Sequence, residues 1–102
     1  MLFRSVTVSA NVLLQPQASV GHDSAIGCDS VISSYASLSG GCIIGERVYI
    51  GMGVPIKENT SVGTNSIVGM GSVVFRDIPD NVVALGNPAR IMKNNEDGLV
   101  FK

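Results

Sequence analysis

Aliphatic residues recur every six positions along most of the chain. From Leu2 the step passes Val8, Leu14, Val20, Ile26, Ile32, Leu38, Ile44, Ile50, Ile56, Val62, Val68 and Val74, and all thirteen positions are aliphatic. The next residue is glycine at Gly21, Gly27, Gly45, Gly51, Gly63 and Gly69. The residue two before the aliphatic is small or β-branched, as at Ala18, Ser24, Cys42, Val54 and Ser66. An amphipathic helix would repeat near 3.6 residues, and no such face is present. The richness in Val, Ile, Ser and Gly is also a poor composition for helices.

A period of six predicts short strands joined by tight corners, stacked as a parallel β-helix. Three hexads make one triangular coil of about 18 residues, and coils stack at the strand spacing of about 4.8 Å. The aliphatics point inward and form one continuous core, and the glycines give the corners backbone freedom. Thirteen hexads amount to about four coils. The period stops at Val74, so the chain divides into a solenoid over 1–74 and a closing segment over 75–102. Pro79 and Pro88 interrupt regular repetition there. The segment is expected to cover the open edge of the last coil, since a bare strand edge invites association. The end, "NNEDGLVFK", is polar with a short apolar finish, a composition for a tail partly without fixed structure.

Composition narrows the function. The 102 residues suit one domain, the formal net charge is −1, aromatics make up 5% and there is no Trp. Neither a basic patch nor a stacking platform points to nucleic acid. No leader pattern and no apolar run of about 18 residues is present, so no membrane association is expected and the default location is cytoplasmic. Cys28 and Cys42 lack zinc spacing and read as free thiols.

The one histidine, His22, stands beside Asp23 in "VGHDSAIGCDSVIS". Residues 18 apart share a column, which aligns Arg4, His22, Gly40, Glu58 and Arg76. His22 lies two past Val20, so it faces outward. Gly40, followed by Gly41, leaves a slot above it in which a thin chain could lie against backbone N–H groups. Glu58 and Arg76 are expected to form a weak exposed ion pair. A second column holds Ser34, Met52 and Met70. Methionine suits an irregular ligand groove, and it equally suits packing between subunits.

The pattern [LIV]-G-x-x-[STAV]-x resembles the hexapeptide-repeat acyltransferases. The stretch "GSVVFRDIPDNVVALGNPARIMK" resembles the closing segment of their sugar and small-molecule acetyltransferases. The nearest likeness is to the group of sialic-acid O-acetyltransferases and nucleotide-amino-sugar N-acetyltransferases. The resemblance implies a left-handed β-helix, a homotrimer, acetyl-CoA as co-substrate and no metal. It implies His22 as catalytic base, through the family's "H-[DE]-x-x-I-G" at His22, Asp23, Ile26 and Gly27. It also implies coenzyme contacts near Gly40, Gly41, Met52, Met70 and Gly71, with Arg90 in reach of a coenzyme phosphate or, equally, a solvated tail residue. Two departures stand out. Members of that group often carry a second histidine nine residues after the first, where this chain has Val31. They also carry a small α/β domain before the helix, whereas here the repeats begin at Leu2. Either that end is masked in an oligomer or the chain is a piece of something longer.

The chemistry expected is acyl transfer. A neutral imidazole takes the proton of an acceptor hydroxyl or amine as it attacks the acetyl thioester. Asp23, of the same or a neighbouring subunit, fixes the ring's tautomer. A backbone N–H of Gly40 or Gly41 would hold the oxyanion. The acceptor would be a sugar, a nucleotide sugar or another small molecule. The alternative is a non-catalytic trimeric assembly module or a degenerate enzyme, with His22 an exposed turn residue. A zinc enzyme on this fold needs three histidines per site, and one histidine per chain gives a homotrimer only one for each.

Overall fold

The computed structural model describes residues 6–95. Leu2 and Arg4 of the sequence pattern, and the end of the tail from 96 to 102, lie outside the described residues. The chain is an all-β, left-handed parallel solenoid of about four coils. The first coil holds β1 (Thr7–Val8), β2 (Leu13–Leu14) and β3 (Ser19–Val20). The second holds β4 (Ala25–Ile26), β5 (Val31–Ile32) and β6 (Ser37–Leu38). The third holds β7 (Ile43–Ile44), β8 (Tyr49–Ile50) and β9 (Pro55–Ile56). The fourth begins with β10 (Ser61–Val62) and β11 (Ile67–Val68), and β12 (Val82–Leu85) and β13 (Arg90–Asn94) close it.

Three sheets form the walls of the prism, in the orders β1-β4-β7-β10, β2-β5-β8-β11-β12-β13 and β3-β6-β9. Partners in the repeat region stand 18 residues apart, as in Ala25↔Ile43 and Ile32↔Ile50. From β3 to β11 each strand ends on its aliphatic, which is buried: Ile26, Ile32, Ile50, Ile56 and Val68 are all at most 1% exposed, whereas Val8 and Leu14 of the first coil remain exposed. The residue two before it also points inward, so the small set Ser24, Ala36, Cys42, Val54 and Ser66 is buried too. Hydroxyls in that set satisfy backbone groups between coils. Ser24 Oγ accepts from Cys42 N–H and donates to the Ser39 carbonyl, and Ser30 Oγ does the same with Val48 and Gly45. A buried hydroxyl without such partners would cost stability.

The corners differ from expectation in one respect. Backbone with positive φ recurs every six residues, at Asn11, Gln17, Asp23, Asp29, Tyr35, Gly41, Arg47, Gly53, Asn59, Asn65 and Gly71. These stand three after the aliphatic, not directly after it. The glycines directly after it serve stacking instead. A Cβ on Gly27 would lie 2.6 Å from the Gly45 carbonyl oxygen, and one on Gly51 would lie 2.6 Å from Met70 N.

The coil shortens above Val74. Ile56 pairs with Val74 at a separation of 18, but Val62 pairs with Ile78 at 16. The corner there has lost two residues. Parallel pairing continues past the last hexad, with Ile67↔Val83 and Val68↔Ala84, before β13 folds back antiparallel on β12. Buried Asn95 ties this end down, donating from N to the Asn81 carbonyl and from Nδ2 to the Asn65 carbonyl.

Two predictions follow from stacking and burial. Gly27→Ala forces backbone apart and should lower the urea midpoint more than Gly53→Ala. At Gly53 a Cβ meets nothing within 4 Å, and only the left-handed φ of 72° costs, about 1–2 kcal/mol. Of the two free thiols, Cys28 is half-buried and Cys42 is buried. Burial raises the Cys42 thiol above its ordinary value, and its Sγ donates to the Lys57 carbonyl. A raised folded-state pKa stabilises the fold below the unfolded thiol's pKa, and that contribution is lost as pH rises through the folded value. Native protein should therefore expose one thiol to a disulfide reagent and the second only on unfolding. Cys42→Ala should lessen the loss of stability on the alkaline side of the thiol range, measured by denaturant titration at several pH values.

Candidate active site

The chain turns from β3 to β4 at His22 and Asp23, which stand at one prism edge, the His22 corner. Gly40 and Gly41 stack above them, with Glu58 and Asn59 above those. Each pair fills the two-residue turn between strands. Asp23 has φ of 60°, a conformation aspartate tolerates better than most side chains. That turn aims both side chains outward. His22 Nδ1 stands 3.2 Å from Asp23 Oδ2, with the side chains 67% and 64% exposed. The contact is within one chain.

The slot expected above His22 is filled by the ring of His22 itself. A Cβ built on Gly40 would lie 2.9 Å from His22 Cε1 and 3.0 Å from Nε2. Gly40 is thus the seat of the imidazole. A ring that is neutral with its proton on Nδ1 donates to Asp23 and leaves Nε2 free to accept a proton. Gly41 is committed differently from expectation. Its N–H donates to the His22 carbonyl at 2.8 Å. That bond is part of the coil ladder, so this N–H does not face an oxyanion. Gly41 also has φ of 75°, and a side chain there would strike Asn59 Oδ1.

His22, Asp23, Ser39, Gly40, Gly41, Glu58 and Asn59 line a shallow open groove of about 430 Å³. Among the described residues no lysine or arginine lines it. Asn59 and Ser39 were not singled out from sequence, although Asn59 lies 18 after Gly41 and the column arithmetic reaches it.

Arg76 does not pair with Glu58. Among the described residues Glu58 meets Lys57, Nζ to Oε1 at 3.8 Å, and both are exposed. The cause is the shortened coil. With two residues missing between Val74 and Ile78, Arg76 leaves the Glu58 column. It lines a second groove, of about 460 Å³, with Phe75, Pro88, Ala89 and Arg90. Arg90 is brought there because Gly86 to Ala89 fold over Val73: Val73 N donates to the Gly86 carbonyl, and Ala89 N donates to the Val73 carbonyl.

Met52, Met70 and Gly71 lie on a different prism edge, between the β2 and β3 sheets. Met52 is 49% exposed and Met70 72%. Within one chain they are separated from the His22 groove by the width of the β3 sheet. Among the described residues no group of three or more His, Cys, Asp or Glu could hold a metal, and no helix is long and apolar enough to cross a membrane.

The family pattern described as bacterial transferase hexapeptide (six repeats) matches residues 23–54. The chain is a hexapeptide-repeat protein. Solved structures of the same shape include UDP-N-acetylglucosamine O-acyltransferase from Moraxella catarrhalis, with a TM-score of 0.86 and 28% identity over 90% of this chain. They also include soybean serine acetyltransferase, with 0.80 and 31% over 86%. A third is PerB from Caulobacter crescentus, solved with CoA and GDP-perosamine, with 0.62 and 31% over 85%. This hexapeptide-repeat chain spans only 35%, 40% and 54% of those three chains, respectively. No curated protein matches it in sequence.

The seat of the imidazole is testable. In Gly40→Ala the new methyl meets the far end of a flexible side chain and not backbone, so the thermal midpoint should stay within about 2 °C of wild type. That corresponds to less than ~0.5 kcal/mol for a domain of this size. The His22 ring must move, and its Hε1 resonance should shift. An unmoved resonance would show that Gly40 does not seat the ring.

Proposed function

We propose that this solenoid is the catalytic part of an acyltransferase that carries acetyl from acetyl-CoA to a hydroxyl or amine of a sugar, a nucleotide sugar or another small acceptor. The observation that carries the reading is a pair of grooves on one chain. The His22–Asp23 pair lines one, and Arg76 and Arg90 line the other, beside the closing segment. A thioester joined through a flexible arm to a phosphorylated nucleotide needs that layout. Its reacting carbon sits by a base, and its phosphates sit by guanidinium groups, which bind phosphate in a planar fork.

In the proposed reaction His22 Nε2 accepts the acceptor's proton as the acceptor oxygen or nitrogen bonds to the thioester carbon. Asp23 holds Nδ1–H and stabilises the imidazolium. The tetrahedral intermediate collapses, the carbon–sulfur bond breaks and the imidazolium returns its proton to the CoA thiolate. Gly40 N–H, which makes no hydrogen bond among the described residues, is the proposed oxyanion donor. Phe75 and Pro88 offer apolar surface beside the phosphates for the nucleotide base. The reaction belongs in the cytoplasm, where acetyl-CoA is supplied, and it needs no metal. The functional unit is a homotrimer.

Calorimetric titration with acetyl-CoA should give one site per chain in the micromolar range. His22→Ala should keep that affinity within about threefold and lower kcat by 10²–10⁴-fold, the usual share of a general base. Arg76→Ala with Arg90→Ala should weaken acetyl-CoA but leave S-acetylpantetheine, which lacks the phosphates, unchanged. Absence of binding up to millimolar acetyl-CoA would leave the non-catalytic assembly module as the reading.

A further inference from the structure

The two grooves of this chain carry opposite charge. Arg76 and Arg90 line one, and no carboxylate lines it among the described residues. Asp23 and Glu58 line the other beside His22, and no lysine or arginine joins them. An anion is therefore drawn to the first groove and repelled from the second. The proposed reaction has two substrates, and its coenzyme is the anionic one. What remains is the charge of the acceptor.

The polar atoms beside the imidazole narrow it. The His22 ring rests on Gly40, one strand spacing of about 4.8 Å below the Glu58 and Asn59 turn. A Cβ on Gly41 would strike Asn59 Oδ1, so that oxygen lies across Gly41, between the ring's coil and its own. The Asn59 side chain makes no hydrogen bond among the described residues. Glu58 Oε1 meets Lys57 Nζ at 3.8 Å, and the two side chains are 62% and 55% exposed. An exposed contact of that length is weak and open to exchange. A carboxylate can only accept hydrogen bonds, and so can an amide oxygen, whereas an ammonium group offers three donors and no acceptor.

We infer that the acceptor of the proposed acyl transfer carries a protonated amine, held by Glu58 and Asn59 Oδ1 in place of Lys57. The group to be acylated is a separate hydroxyl or second amine at His22 Nε2, since a protonated amine has no lone pair with which to attack. Glu58 and Asn59 are then the residues that determine acceptor specificity, and a phosphorylated or carboxylated acceptor is selected against. The inference rests on the reading of the His22 groove as the place of acyl transfer and names its substrate class.

Three sugars of similar size serve as probes: glucosamine with its amine protonated, neutral N-acetylglucosamine, and anionic N-acetylglucosamine 1-phosphate. Each is titrated into the full chain while the His22 Hε1 resonance is followed, and acetyl-CoA binding is measured in parallel by calorimetry. Glucosamine should bind more tightly than the phosphate by about tenfold or more, with the neutral sugar between them. Glu58→Gln should weaken glucosamine by about threefold to tenfold, between the strengths of an exposed ion pair and of a hydrogen bond to a charged group. The same variant should leave N-acetylglucosamine within about twofold, and Glu58→Lys should reverse the order of glucosamine and the phosphate. Acetyl-CoA binding with no preference among the sugars, with a preference for the phosphate, or with no shift from any of them would overturn the inference alone. Absence of acetyl-CoA binding would overturn acyl transfer and the cationic acceptor with it.

Discussion

Direct stacking of backbone on backbone, 18 residues apart, is the constraint on which everything else in this protein depends. Each strand is only two residues long in the repeat region, far too short to be stable by itself. It exists because its N–H and carbonyl groups bond to the coil above and below, as Gly27 N does to Ile44 O and Gly45 N to Val62 O. Where glycine follows the aliphatic, as at Gly27, Gly45 and Gly51, that ladder brings the coils so close that an added Cβ would strike the next coil. The glycine there is a packing requirement, set by the 2.6 Å approach of a Cβ to the neighbouring coil.

The same constraint rations the positions open to chemistry. From Val20 onward the aliphatic and the residue two before it largely go to the core, and a glycine after the aliphatic goes to the stack. The turn and one outward strand position remain. Functional side chains therefore gather along the prism edges, and a ligand must run along an edge, across coils. The His22 edge is built this way. Its histidine rests on a glycine, its N–H groups are largely committed to the ladder, and its polar groups come from turns separated by whole coils. A side chain can leave its column only where the coil length changes, and Arg76 does so where two residues are lost.

The hexad also explains how one surface differs so strongly from the others. Because a coil is three hexads, any property with a period of 18 becomes a property of one wall. Outward apolar character has such a period in the repeat region. A wall with Leu13, Val31, Tyr49 and Ile67 outside, and Leu14, Ile32, Ile50 and Val68 inside, is apolar on both faces until β13 brings Arg90 and Lys93 to its end.

The sequence by itself determined the solenoid, its coil length, the core columns and the outward placement of His22 and Asp23. Each follows from a period that counting can find, because the period reflects a spacing repeated by the backbone. It also brought Gly40 to His22 by arithmetic. Other features were decided only in three dimensions. The imidazole occupies the space over Gly40, since a side chain's rotamer is set by its neighbours and not by its column. Gly41 N–H is spent on the His22 carbonyl. Met52 and Met70 stand a full wall away from the base. Arg76 joins Arg90 because the pairing register falls from 18 to 16 between Val74 and Ile78. A break in register leaves no periodic mark in the sequence, and beyond it only the folded chain shows which residues meet.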